Sequence, residues 1–216
     1  MRVTLETKQA TEKAIKAAAR KLFVRKGLDA TNTREIARAA DIAVGTLFNY
    51  FPSKEALAIA IASEAFTAGR RRAHERMTME ANLRGTLDSE LFSLIACDIR
   101  ALEPIRSFVQ DVLEAGLSPF TTGAVTSEAV SIRTERLGDA RTILERHGLG
   151  EAATSPVMHL YWSLYLGVLS FWATDDSPKQ EDTWALLDQS VQMFSGSLKR
   201  SPARAPDLAL DKEMIP

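Results

Sequence analysis

One cysteine, Cys97, is all the chain has among its 216 residues, so no internal disulfide forms and packing alone must hold the fold. Histidine is nearly as scarce. His74, His147 and His159 stand far apart, with no H-E-x-x-H spacing and no thiol or acid cluster beside them, so no metal site and no cofactor are expected. G-x-S-x-G, the phosphate-binding glycine loop, the dinucleotide fingerprint and paired-carboxylate spacing are all missing, which argues against an enzyme. No apolar run of the signal-peptide kind opens the chain, and a cytoplasmic protein is expected. Nor is there an excess of either charge: 27 Lys and Arg face 28 Asp and Glu, for a net charge of -1. What is present is 45% hydrophobic and 25% charged side chain, enough for a true core in one or two globular domains.

The neutral total conceals an asymmetry. Residues 1–60 hold eleven basic and six acidic side chains, and residues 61–216 hold sixteen basic and twenty-two acidic ones. A head of +5 on a body of -6 points to an anionic partner for the head, nucleic acid foremost, and a different task for the body.

Apolar residues recur at helical spacing throughout, and Val/Ile/Thr clusters never alternate long enough for strands, so the fold class is all-α. A first helix over about 8–26 places Ile15, Ala18, Ala19, Leu22 and Phe23 on one face and meets Gly27 at its end. Asn32, with Glu35 three residues later, reads as a capping box opening a short helix that ends near Ala40. Asp41-Ile42-Ala43 reads as a tight turn, Val44 to Tyr50 as another short helix, and Pro52-Ser53 as the break before a long helix from Lys54. Further helices are expected near 54–77, 82–102, 104–115, 123–147, 155–174 and 179–199, with Ser155 and Ser177 capping the last two ahead of Pro156 and Pro178. The tail from Ser201 carries Pro202, Pro206 and Pro216 and little periodicity, so disorder is expected at 201–216.

Two short helices joined by a three-residue turn, behind a basic first helix, form the arrangement of a helix-turn-helix DNA reader. The segment ATNTREIARAADIAVGTLFNYFPSKEAL, Ala30 to Leu57, closely resembles the DNA-binding domain of the TetR family of transcriptional regulators. The likeness covers the first fifty-odd residues, and the remainder resembles the family only in length and helical layout. It implies a three-helix DNA-binding domain over 1–53 and a helical ligand-binding and dimerisation domain over 54–200. Physical roles follow from the residues themselves. Ala37 lets the two short helices cross closely, and Ile36, Ile42 and Leu47 fill the small core between them. Val44, Gly45 and Thr46 open the second helix, whose first turn faces base edges in the major groove. Arg34 and Asn49 have reach to a base or a phosphate, while Tyr50 and Lys54 suit backbone contacts. Three positions depart from the family pattern. Asp41 replaces the usual turn glycine, Phe48 replaces a tyrosine and Ala43 a serine, which thins the set of backbone contacts and predicts weaker, more salt-sensitive DNA binding.

The body contains twenty positions, Ser155 to Thr174, without Asp, Glu, Lys or Arg. Pro156 and Gly167 interrupt the run, no basic girdle flanks it and Asp175-Asp176 follows, so a membrane span is rejected in favour of a helix buried on all sides. Ser163, Gly167 and Ser170 make a small-residue stripe for a two-fold crossing, and Trp184, Leu187, Val191 and Phe194 an apolar stripe on the last helix. Together they predict a homodimer through a four-helix interface. Leu91, Phe92, Ile95, Phe108, Val112, Phe120 and Val125 are the expected apolar walls of an effector pocket. His159, Tyr161, Trp162 and Tyr165 are its polar tips, and Phe92, Phe108, Phe120, His159 and Trp162 its ligand contacts. Arg70-Arg71-Arg72 and Arg76 read as a solvated face or as part of the coupling between head and body. The resemblance implies repression relieved by a small molecule. The alternatives are activation, or control by a protein partner with no small-molecule ligand.

Overall fold

Thr4 opens the first helix by accepting the Thr7 N–H on its hydroxyl at 3.3 Å, and α1 runs over Leu5–Lys26 until Gly27, at φ +82°, closes it. The computed structural model describes residues 4–80, 85–118 and 126–199. No strand occurs among them, so the all-α expectation holds. The capping box expected at Asn32 is present: its side chain accepts the Arg34 N–H at 2.9 Å, and Glu35 accepts the Asn32 N–H at 2.9 Å. It starts α2 (Thr33–Ala39), and α3 occupies Val44–Tyr50. Ser53 then accepts the Ala56 N–H at 3.1 Å and starts α4 (Lys54–Glu80), a 27-residue rod shared by head and body.

Beyond the head the chain follows the expected helices, with instructive shifts. Thr86 caps α5 (Leu87–Leu102), which therefore begins five residues later than the spacing predicts. The single helix expected over 104–115 is three short pieces: a 3-10 stretch Glu103–Phe108 with Pro104 in its first turn, α6 (Val109–Val112), and a π turn Leu113–Leu117. Thr126 caps α7 (Ser127–Arg146). For α8 (Ser155–Thr174) the cap position is Thr154, not Ser155, and it makes no side-chain capping bond. A 3-10 turn Pro178–Gln180 leads into α9 (Glu181–Lys199). Here the expected cap Ser177 accepts the Asp182 N–H at 3.1 Å on its hydroxyl, and Asp175 joins it, accepting the Ser177 N–H at 2.8 Å and the Thr183 N–H at 3.0 Å. The expected tail, together with Phe120 and Val125, lies outside the described residues.

One continuous core joins the two parts. Phe23 of α1 meets Phe108 edge-on, centroids 5.4 Å apart, and both rings are fully buried. On the outside of the same seam, Lys16 and Arg20 pair with Glu64 of α4 at 3.2 and 3.1 Å. Arg106 ties the 3-10 stretch to the end of α8, donating to the Trp172 carbonyl at 3.0 Å and to the Asp175 carbonyl, with its guanidinium 5.7 Å over the Trp172 ring. The head is therefore braced against α4 and against the 103–108 stretch together.

Candidate nucleic-acid interface and effector core

Ile36, Ala37 and Leu47 are buried where α2 crosses α3, and the Ile42 N–H donates to the Ala37 carbonyl at 3.0 Å to close the turn. Asp41 holds φ +53°, the left-handed position expected from its place in the turn. Lys26 pairs with Glu35 at 2.5 Å, tying the end of α1 to the start of α2 and holding the Glu35 carboxyl below its ordinary value. With the scaffold fixed, α3 turns Gly45, Phe48 and Asn49 outward, Phe48 being 48% exposed. Arg34 is exposed beside them, while Val44, Thr46 and Tyr50 are half-buried. A side chain at Gly45 would meet nothing within 4 Å, so the space over it is open to an approaching duplex. Lys54 is partly committed: its ammonium donates to the carbonyls of Leu28 and Asp29 at 3.0 and 3.2 Å. One of its three N–H groups remains for a phosphate.

The described ligand contacts expected from sequence, Phe92, Phe108, His159 and Trp162, do not converge. Phe108 is sealed in the head–body seam, and Trp162 is fully buried and stacked on Tyr165 with centroids 5.3 Å apart. Phe92 is half-buried against Trp184 at 6.3 Å, on a groove it shares with Arg76, Ser93 and Arg100. His159 is exposed. It lies on an outward groove of about 490 Å3 between α8, α6 and the π turn, together with Ser163, Gly167 and Ser170 of the expected dimer stripe. Leu187, Val191 and Phe194 point the other way. All three are buried in the protomer's own core, because the one apolar stripe of α9 is consumed by packing on α5 and α8. Trp184 is half-buried under Arg100, whose guanidinium sits 5.5 Å from the ring. The free apolar side chains in this region are instead Leu160 and Phe171 on α8 and Met193 on α9, at 43%, 42% and 62% exposure. The run 155–174 is thus buried on one face only. Among the described residues no helix is long and apolar enough to cross a membrane.

What does converge was not anticipated. Asp98 of α5 and Arg136 of α7 are both fully buried, with two N–H···O contacts of 2.6 and 3.0 Å between them. Tyr165 of α8 donates its hydroxyl to Asp98 at 2.9 Å, and Arg136 also donates to the Phe66 carbonyl of α4. Arg70 of α4 grips Asp139 of α7 through two bonds of 2.8 and 2.9 Å, and His74 reaches the same carboxylate at 3.1 Å. Gly69 allows the close approach of α4 to α5, since a Cβ there would stand 2.4 Å from Asp98 Oδ1. Burial pushes the Asp98 carboxyl up to about 6, against the pull of Arg136 and the Tyr165 hydroxyl. Four helices thus meet on one buried polar chain. The only sequence hint was an acid inside the apolar run Leu91 to Leu102.

Beside this chain, Leu91, Ile95, Tyr161, Leu164, Tyr165, Val168, Ser190, Val191 and Phe194 line a slot between α5, α8 and α9 that leaves about 10 Å3 free. Leu91, Ile95, Tyr161 and Tyr165 are members of the expected pocket that do come together. Of the remaining wall, Val191 and Phe194 belong to the expected dimer interface, and Leu164, Val168 and Ser190 have no role assigned from sequence.

Comparison with known proteins decides the family. The profile described as bacterial regulatory proteins, tetR family, matches residues 15–61. A second, the tetracyclin repressor-like C-terminal domain, matches residues 91–206, more than half of the chain. The chain belongs to the TetR family. It is a helix-turn-helix transcriptional regulator. Over 50 residues it is 46% identical to the HTH-type transcriptional regulator YuxN of Bacillus subtilis, a match covering 23% of this chain and 17% of that relative's length. Among solved structures, the TetR-family repressor FadR of Thermus thermophilus, in complex with lauroyl-CoA, superposes with TM-score 0.64 at 20% identity, over 90% of this chain and 98% of that one. A TetR regulator from Rhodococcus sp. RHA1 gives TM-score 0.60 at 18% identity, over 88% and 98%. At such identities the structures share the fold. In the head matched over residues 15–61, α3 stands in the second-helix position of the helix-turn-helix.

Proposed function

We propose that this regulator is a ligand-released repressor that binds a pseudo-palindromic operator as a homodimer. The observation that carries the reading is the polar chain Tyr165–Asp98–Arg136, which links a wall of the apolar slot to the Phe66 carbonyl of α4. Because α4 starts in the head at Lys54 and runs on through the body to Glu80, a shift of the body end tilts the recognition helix. The slot is too small for a ligand as it stands, so any occupant must select a wider spacing of α8, α9 and α5. Its differential affinity for that conformer is then available to lower DNA affinity.

DNA contact is assigned to Arg34, Val44, Gly45, Thr46, Phe48, Asn49, Tyr50 and the free N–H of Lys54. The second copy is assigned to the outward face of α8, with Leu160, Ser163, Gly167 and Phe171, together with Met193 of α9. An apolar small molecule is the effector, a reading supported by the lauroyl-CoA bound to the Thermus thermophilus neighbour and by the uncharged slot lining. The test is Tyr165→Phe, which cuts the link while leaving the slot's apolar wall. It is expected to bind operator DNA like the wild type and to release it less when effector is added. Release identical to wild type contradicts the linkage.

A further inference from the structure

Phe48 on α3 is 48% exposed, the one aromatic side chain so exposed among the described residues of the head. Leu5 and Val24, the other large apolar side chains exposed there, sit on α1. A phenyl ring has no hydrogen-bonding atom, so it makes no hydrogen bond to a phosphate oxygen or a base edge. Gly45, Phe48 and Asn49 stand at helical spacing on one outward face, and a Cβ on Gly45 would meet nothing within 4 Å. Long side chains on a helix lean back toward its N-terminus. The ring therefore extends toward the first turn of α3, the part that a helix-turn-helix brings to the base edges.

The absence of charge on α3 narrows what that face reads. Val44 to Tyr50 contains no Arg, Lys, Asp or Glu. The forked contact of Arg or Lys to guanine and the acceptor contact of Asp or Glu to cytosine are thus missing from the helix. Asn49 supplies an exposed amide, the half-buried Thr46 a hydroxyl, and the largest exposed surface that remains is the Phe48 ring. Among the groups that base pairs present in the major groove one is apolar, the C5-methyl of thymine.

We infer that Phe48 packs on thymine C5-methyl groups in the major groove and selects for them. This deepens the DNA reading given above and rests on it, adding which feature of the bases the ring reads. Each methyl group taken out of water against the ring is worth about fourfold in affinity.

The experiment prepares the duplex upstream of the protein's own gene twice, by amplification with dTTP or with dUTP. The second product lacks every thymine methyl between the primers and keeps the same pairing and phosphates. Full-length wild type, Phe48→Ala and Asn49→Ala are titrated against both at low salt, where phosphate attraction keeps weak complexes measurable, and each is melted without DNA. Wild type is expected to bind the thymine duplex at least about fourfold more tightly than the uracil duplex. Phe48→Ala is expected to bind the thymine duplex more weakly than wild type, to bind the two duplexes equally, and to melt no lower. Asn49→Ala is expected to weaken on both duplexes and to keep the preference, which marks the methyl effect as belonging to Phe48. Equal binding of the two duplexes by wild type overturns the inference and leaves the DNA reading standing. A preference that survives in Phe48→Ala also overturns it and assigns the methyl contact to Val44 or Thr46, and binding to neither duplex overturns both readings together.

Discussion

At the scale of single residues, the proposed DNA-contact surface rests on a few exposed atoms whose roles can be separated from stability. Gly45 has open space where a Cβ would stand and an ordinary helical backbone. Gly45→Ala is therefore expected to fold as well as the wild type or gain up to about 1 kcal/mol of helix stability. It should nevertheless weaken operator binding several-fold, because the new methyl stands where the duplex approaches. A melting curve beside a binding isotherm checks both signs, and a loss of stability would contradict the placement. The head was legible at this scale because its signals are local: the Asn32–Glu35 box, Asp41 in a left-handed turn and the Pro52-Ser53 break each act within four residues. Lys54 was legible as a cation at a helix start. Its commitment to Leu28 and Asp29 was not, since those carbonyls lie 26 and 25 residues away.

Between elements, the buried chain joins α4, α5, α7 and α8 through Asp98, Arg136, Tyr165 and the Phe66 carbonyl. Arg136→Met leaves the Asp98 carboxylate uncompensated and is expected to cost about 3–5 kcal/mol, whereas Asp98→Asn together with Arg136→Met should cost less than either change alone. Denaturant unfolding of the three variants supplies the cycle, and simple additivity would show that the pair does not act as a unit. Asp175 gives the pH dependence. Donors from Thr183 and Ser177 hold its carboxyl well below the ordinary aspartate value. Its contribution to stability is therefore complete at neutral pH and is lost as pH falls below about 4. Asp175→Asn should lower the melting temperature at pH 7 and narrow the gap to wild type in acid, which a pH series of melts measures. Sequence could not show either device, because hydrophobic periodicity says which face of a helix is buried and nothing about what faces it. Asp98 and Arg136 are 38 residues apart, and the α9 stripe Leu187, Val191 and Phe194 looks the same whether it meets its own core or a partner.

For the whole molecule, the proposed function assigns the basic head to DNA and the acidic body to the effector, and both assignments depend on how two copies join. If the outward face of α8 is the seam, Phe171→Lys places a charge on it. It is expected to shift sedimentation toward monomer at micromolar concentration and to weaken operator binding with it, leaving the protomer's own core untouched because Phe171 is 42% exposed. The measurement that bears most directly on the central claim is binding of the full chain to duplex DNA from upstream of its own gene, across a salt series, for wild type and Asn49→Ala. The account predicts that affinity falls steeply as salt rises, and that Asn49→Ala loses about tenfold or more at every salt concentration while melting at the same temperature. Affinity indifferent to salt, and equal in the two proteins, would contradict it.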